Sequence, residues 1–182
     1  MVDKPETIQL AVHAVFPGLT PVIELPSPNL TARAVLYPVV DSELSFDQFD
    51  ALSAAAAADG DQSYYLSQWE RFADADVQQD FVAAISDFGE YRAHRPPGLE
   101  YVLVSPRRGW GLLILDEGAG ILAGSESFIS NVYRKLPSPA DQVASFVRDI
   151  RSTDHAGMND WLDRLLRGLF GDVKARVFLE GR

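Results

Sequence analysis

Leu99-Glu100-Tyr101-Val102-Leu103-Val104-Ser105 and, after Pro106-Arg107-Arg108-Gly109, Trp110-Gly111-Leu112-Leu113-Ile114-Leu115 form the stretch around which the rest of the chain has to fold. Two short apolar runs on either side of a turn-prone tetrapeptide predict a β-hairpin. Asp116-Glu117-Gly118-Ala119-Gly120 makes a second turn into Ile121-Leu122-Ala123, so three strands succeed one another as a meander. Val102, Leu103 and Val104, like Leu112 to Leu115, are apolar at successive positions instead of alternate ones. That pattern predicts strands covered on both faces, at the centre of a sheet.

Upstream of the hairpin, Ile8, Leu10, Val12, Ala14 and Phe16 alternate with Thr7, Gln9, Ala11, His13 and Val15, which reads as a half-buried strand ended by Pro17-Gly18. Leu19 to Leu25 reads as an edge strand or extended loop, because Pro21, Pro26 and Pro28 each lack a ladder donor. Leu30 to Val39 is a firmer strand, and the three segments together suggest an antiparallel unit. Ser45-Phe46-Asp47-Gln48 has the form of a capping box and opens a helix to about Ala58. Asp59-Gly60-Asp61 stops that helix, and Ser63 to Phe72 follows as a strand. Val77, Phe81, Ala84, Ile85 and Phe88 then fit a second helix, capped by Asp74 or Asp76 and ended by Gly89.

Downstream, Ser125 or Ser127 can cap a helix to about Leu136, and Ser138-Pro139 starts another with Val143, Phe146, Val147 and Ile150 on one face. A further helix from about Met158 to Phe170 ends at Gly171, with Asp160 and Arg164, and Asp163 and Arg167, spaced to pair along its outer face. Val173 to Leu179 closes the chain as a strand. The expected fold is therefore α+β: a mainly antiparallel sheet with a central meander at 99–123 and about five helices, three of them consecutive near the C-terminus. At 182 residues, with no repeat and no linker-like stretch, the expectation is one globular domain over 1–182.

Composition narrows the function classes. Acidic residues number 26 against 16 Lys and Arg, a formal charge of −10, which argues against nucleic-acid binding. The absence of cysteine removes disulfides, thiolate metal sites and cysteine nucleophiles. Met1 to Glu6 has no signal-peptide pattern and no stretch is long and apolar enough to span a membrane, so a soluble, cytoplasmic protein is expected. The charge is also uneven. From Asp41 to Glu90 there are 12 acids and a single base, Arg71, whereas residues 91–182 hold 13 bases and 11 acids.

Motifs for chemistry are few. His13, His94 and His155 have no metal-site spacing, and no serine occupies a Gly-x-Ser-x-Gly elbow; in Gly124-Ser125-Glu126-Ser127 a helix cap is the simpler reading. Gly118-Ala119-Gly120 leads into a strand instead of a helix, unlike a dinucleotide fingerprint, and Asp59-Gly60-Asp61 fails as a calcium loop beyond its first residues. Neither a cofactor nor a metal is expected. Two surfaces stand out. Asp76, Asp80 and Asp87 would align along the second helix as an acidic stripe, suited to docking a basic protein partner as a toxin-neutralising immunity-type protein would. The alternative is an enzyme or small-anion-binding protein with a pocket near Arg107, Arg108 and Trp110, assisted by His94 and Glu100, since guanidinium groups bind anions and stack on indole. A homodimer, built through an open hairpin edge or the helix at 158–170, is the third expectation.

Overall fold

The meander forms where its sequence places it, and both of its faces are covered. In the computed structural model, which describes residues 5–17, 26–68, 80–153 and 157–181, the elements in chain order are α1 (Pro5–Val15), β1 (Ala32–Leu36), α2 (Phe46–Ala58), β2 (Ser63–Gln68), β3 (Asp80–Ala84), α3 (Phe88–His94), β4 (Tyr101–Val104), β5 (Gly111–Ile114), β6 (Gly120–Gly124), α4 (Glu126–Val132), α5 (Pro139–Ser152) and α6 (Met158–Glu180). The six strands form one antiparallel sheet in the order β1-β6-β5-β4-β2-β3. Successive strand residues point to opposite sides. Val102, Val104, Leu113, Ile121 and Ala123 therefore pack with α1, α5 and α6. Tyr101, Leu103, Leu112, Ile114 and Leu122 pack with α2, α3 and α4 on the other face. The result is an α+β sandwich of three layers.

Three helices begin where cap chemistry requires. Ser45 and Gln48 close the capping box of α2, Ser125 caps α4, and Ser138 with Pro139 opens α5. Each cap satisfies an amide that the first helical turn leaves without a partner.

Three segments differ from the sequence reading. Residues 8–16 lie in and just after a helix, α1, because the buried positions are Ile8, Ala11, Val12, Val15 and Phe16. That is helical spacing, and Leu10, which the alternating pattern places inside, is 60% exposed. Among the described residues the expected N-terminal antiparallel unit does not form: β1 pairs with β6, and residues 19–25 lie outside the described residues. Of the helix expected from 77 to 88, residues 77–79 lie outside the described residues and Asp80–Ala84 form strand β3, in which Phe81 and Ala83 face the α2–α3 layer and Ile85 follows in the same period-two register. Helix α3 starts only at Phe88, with Asp87 as its N-cap. Finally, Val173 to Leu179 is not a strand. Gly171, at φ 76° and ψ 164°, interrupts the helical backbone as a cap would, but the chain resumes helix beyond it and buries Ala175 with Phe178 and Leu179 beside it.

The C-terminal end of α1 sits tightly over Gly111 of β5. A Cβ on Gly111 would fall 2.3 Å from Val15 Cγ1 and 3.0 Å from Phe16 Cε2, so only glycine lets that helix seat. Gly111→Ala should lower the unfolding free energy by about 1–3 kcal/mol through overpacking. Gly109→Ala, whose Cβ would meet nothing within 4 Å, should be nearly neutral. Urea denaturation of the two variants checks the contrast.

Candidate functional site

The hairpin-tip cluster comes apart in three dimensions. Trp110 is fully buried, stacked on Phe128 with ring centroids 5.4 Å apart, and its Nε1 donates to Asp61 Oδ2 at 2.8 Å. Arg107 turns the other way and donates from Nη1 to the Asp59 carbonyl at 2.7 Å, clasping the C-terminal end of α2. Gly60 makes room for it at φ 89°, a conformation glycine adopts at no steric cost. Arg108 stays exposed at the turn, with φ 63°. His94 stacks on Phe81 at 4.3 Å. Among the described residues neither the Arg107 nor the Arg108 guanidinium stacks on the indole, and Trp110 is enclosed in the core, so these three side chains do not converge on one surface. What Asp59-Gly60-Asp61 does is structural: it ends a helix, receives the hairpin tip and satisfies a buried indole. Asp61 is only 6% exposed. Its replacement in Asp61→Ala leaves the indole N–H without an acceptor, with an expected cost of about 1–3 kcal/mol in denaturant unfolding.

The acidic segment is similarly distributed. Asp76 lies outside the described residues, and because 80–84 is a strand, Asp80 and Asp87 share no helical stripe. Both oxygens of Asp80 accept from Gln9 Nε2 at 3.1 Å, joining β3 to α1. Asp87 Oδ1 accepts from the Glu90 amide at 2.9 Å, and Glu90 Oε2 from the Ala84 amide at 3.3 Å. Asp50 meets Lys135 at 2.8 Å. A different acidic grouping appears on the α2–α3 face. Phe46 is 62% exposed and makes an edge-on contact with Phe88 at 5.4 Å. Asp47, Asp87 and Glu90, neighbours of these two rings in sequence, are all exposed.

A groove of about 450 Å³ opens beside this face, between the loop at 38–45, the first turn of α2 and the end of α3. Arg92 and Arg95 line it. Both bind one carboxylate: Arg92 Nε meets Glu43 Oε1 at 2.7 Å, and Arg95 Nη2 pairs with Glu43 Oε2. Arg95 is the more enclosed, its side chain 14% exposed, and its Nε has no hydrogen-bond partner among the described residues. A buried donor left unmatched costs about 1–3 kcal/mol. The loop itself is held from below. The Leu44 amide donates to the Tyr91 hydroxyl at 2.7 Å, Tyr91 to Tyr101 at 2.6 Å and Tyr101 to the Ser42 carbonyl at 2.8 Å, a chain in which every proton has an acceptor. Burial raises the pKa of both phenols and keeps them protonated. This support holds Asp41 and Ser42 at φ 53°, a left-handed conformation uncommon for side-chain-bearing residues. Sequence reading passed over Arg92 and Arg95. Their signal was slight: two arginines three apart, immediately after the acidic segment.

A second titratable group sits at the turn after β5, where carboxylate oxygens of Glu100, Asp116 and Glu117 lie within 4.8 Å of one another. Oxygen ligands of this kind suit a hard cation, but a proton already relieves their repulsion. Burial, then the hydrogen bond with Asp116, push the Glu117 carboxyl up to about 8. Since the folded protein holds this proton more tightly than the unfolded chain, stability is favoured at low pH and lost as pH rises from about 4.5 through 8. Glu117→Gln mimics the protonated form. Its stability relative to the native protein should be near zero at pH 4 and grow to about 1–2 kcal/mol above pH 8, after allowance for solvent screening. Thermal unfolding across that range checks it, and a difference independent of pH would contradict it.

The fold and these sites define a class by architecture alone: a six-stranded antiparallel sheet between two layers of three helices. Comparison with known proteins supplies no analogy, since no family model, no curated protein and no solved structure matches the chain. Among the described residues, no helix is long and apolar enough to cross a membrane.

Proposed function

We propose that this chain is a non-catalytic binding protein that docks a basic protein partner through the α2–α3 face, in the manner of a protein that neutralises a toxin. The observation that supports the reading is the exposed Phe46, resting edge-on against Phe88, with exposed carboxylates at Asp47, Asp87 and Glu90. An exposed aromatic flanked by like charges suits a complementary surface that inserts an apolar side chain and surrounds it with lysine or arginine. The clustered charge would speed encounter and fade with salt. Of the acids first singled out, Asp87 belongs to this face; Asp80 is joined to Gln9 across to α1.

The test uses the partner that co-purifies with the native protein, identified by mass spectrometry and then purified. Asp47→Asn, Asp87→Asn and Glu90→Gln, combined, keep the helix cap and its hydrogen-bond acceptors while removing three charges. They should slow association about tenfold at low ionic strength and flatten its salt dependence, while Phe46→Ala should mainly speed dissociation. Unchanged rates and an unchanged salt slope in both variants would refute this reading.

A further inference from the structure

The groove beside the α2–α3 face is lined by two guanidinium groups, Arg92 and Arg95, and two carboxylates, Asp41 and Glu43. Two guanidinium groups converge on it, each with several N–H donors in a planar fork, and Glu43 is the single carboxylate they share. Among the described residues, Arg92 has one contact, through Nε, and its side chain is 60% exposed. Arg95 gives one nitrogen to Glu43 and makes a long contact of 3.4 Å from Nη1 to the Asp41 carbonyl, while its Nε has no acceptor. Donors therefore outnumber acceptors. We propose that this groove binds a small oxyanion, a carboxylate or a phosphate, on the guanidinium groups of Arg92 and Arg95.

Three features support the assignment. The cavity, about 450 Å³, is within the range of small-ligand sites. Glu43 holds both forks in place before any ligand arrives, so binding does not have to order two long side chains. The adjoining loop, where Asp41 lines the groove and Ser42 follows it at φ 53°, is held by the Tyr91–Tyr101 chain through the Ser42 carbonyl and the Leu44 amide, so the groove is shaped in advance. The exposed Asp41 carboxylate at the rim works against an anion and sets which ones enter: a compact ion seated on the arginines avoids it, a larger or more highly charged one does not. This site is independent of the α2–α3 docking reading, and either can fail alone.

Titration of the full chain with inorganic phosphate and, separately, with succinate tests the proposal by nitrogen–proton correlation spectra that include the arginine Nε–H signals. Saturable shifts should concentrate at residues 38–48 and at Arg92 and Arg95, and whichever anion saturates first identifies the ligand chemistry. Arg92→Gln, at an exposed position, should weaken binding by about tenfold or more. Asp41→Asn should strengthen it severalfold, and Arg148→Gln on α5 should leave it unchanged. The proposal is overturned if neither anion saturates these signals, or if Arg92→Gln and Asp41→Asn both titrate like the native protein. If Arg92→Gln loses the dispersed spectrum of a folded chain, the direction of the Asp41→Asn effect decides.

Discussion

Everything in this molecule depends on a strand that has no solvent side. Leu112 and Ile114 of β5 face one layer, Leu113 faces the other, and all three are fully buried. Leaving either side of such a strand wet would expose several large side chains, each worth about 1.5–3 kcal/mol when buried, so helices have to cover both faces. The requirement propagates outward. Gly111 has to lack a side chain for α1 to lie across β5, and Trp110 just before it, buried with a polar N–H, has to find an acceptor, which is Asp61. Asp61 in turn fixes where α2 ends relative to the hairpin. The hairpin tip, the helix stop and the sheet centre are one packing problem.

The parts legible in the sequence were those where local chemistry and tertiary demand agree. The meander and the helices with cap residues have both a local signal and a buried face, and they fold where the pattern predicts. The readings that failed were those in which two periods fit the same letters. In residues 8–16 apolar side chains are so dense that alternation and helical spacing are both present; Ala11 and Val15 decide it, and only their burial in the core against the sheet shows that they face inward. Phe81 and Ile85 fit a helix as well as a strand, and the pairing of β3 with β2 settles it through hydrogen bonds between distant residues. At Gly171 the stop signal is real in backbone terms, but packing of Ala175 continues the helix past it. The groove was illegible for a related reason: Glu43 and the two arginines it gathers lie about fifty residues apart in sequence, and nothing in their own neighbourhoods announces the meeting.

The charge of the chain is likewise better understood by position than by sum. The dense run of acids from Asp41 to Glu90 suggested a single negative surface, yet several of them have internal work. Asp61 serves an indole, Asp80 a glutamine on α1, Glu43 two arginines and Asp87 a helix start. Short polar side chains near turns and helix ends are used there because they accept backbone and side-chain hydrogen bonds locally. Much of the acidity is thus the chemistry of connecting elements. The acids exposed beside aromatic carbon are few: Asp47 next to Phe46, and Asp87 and Glu90 near Phe88.

The sheet order also bears on how the chain reaches this state. β1 is the earliest described strand in the chain, but its partner is β6, with Ala32 opposite Gly124, roughly ninety residues later. The β4–β5–β6 meander can close through short turns alone, whereas β1 can be captured only once that meander presents an edge. During synthesis the first of the described strands to emerge is therefore among the last to find its place. Until β6 exists, Val35 and Leu36 are apolar residues on a strand that lacks its pairing edge, the kind of segment prone to pair elsewhere.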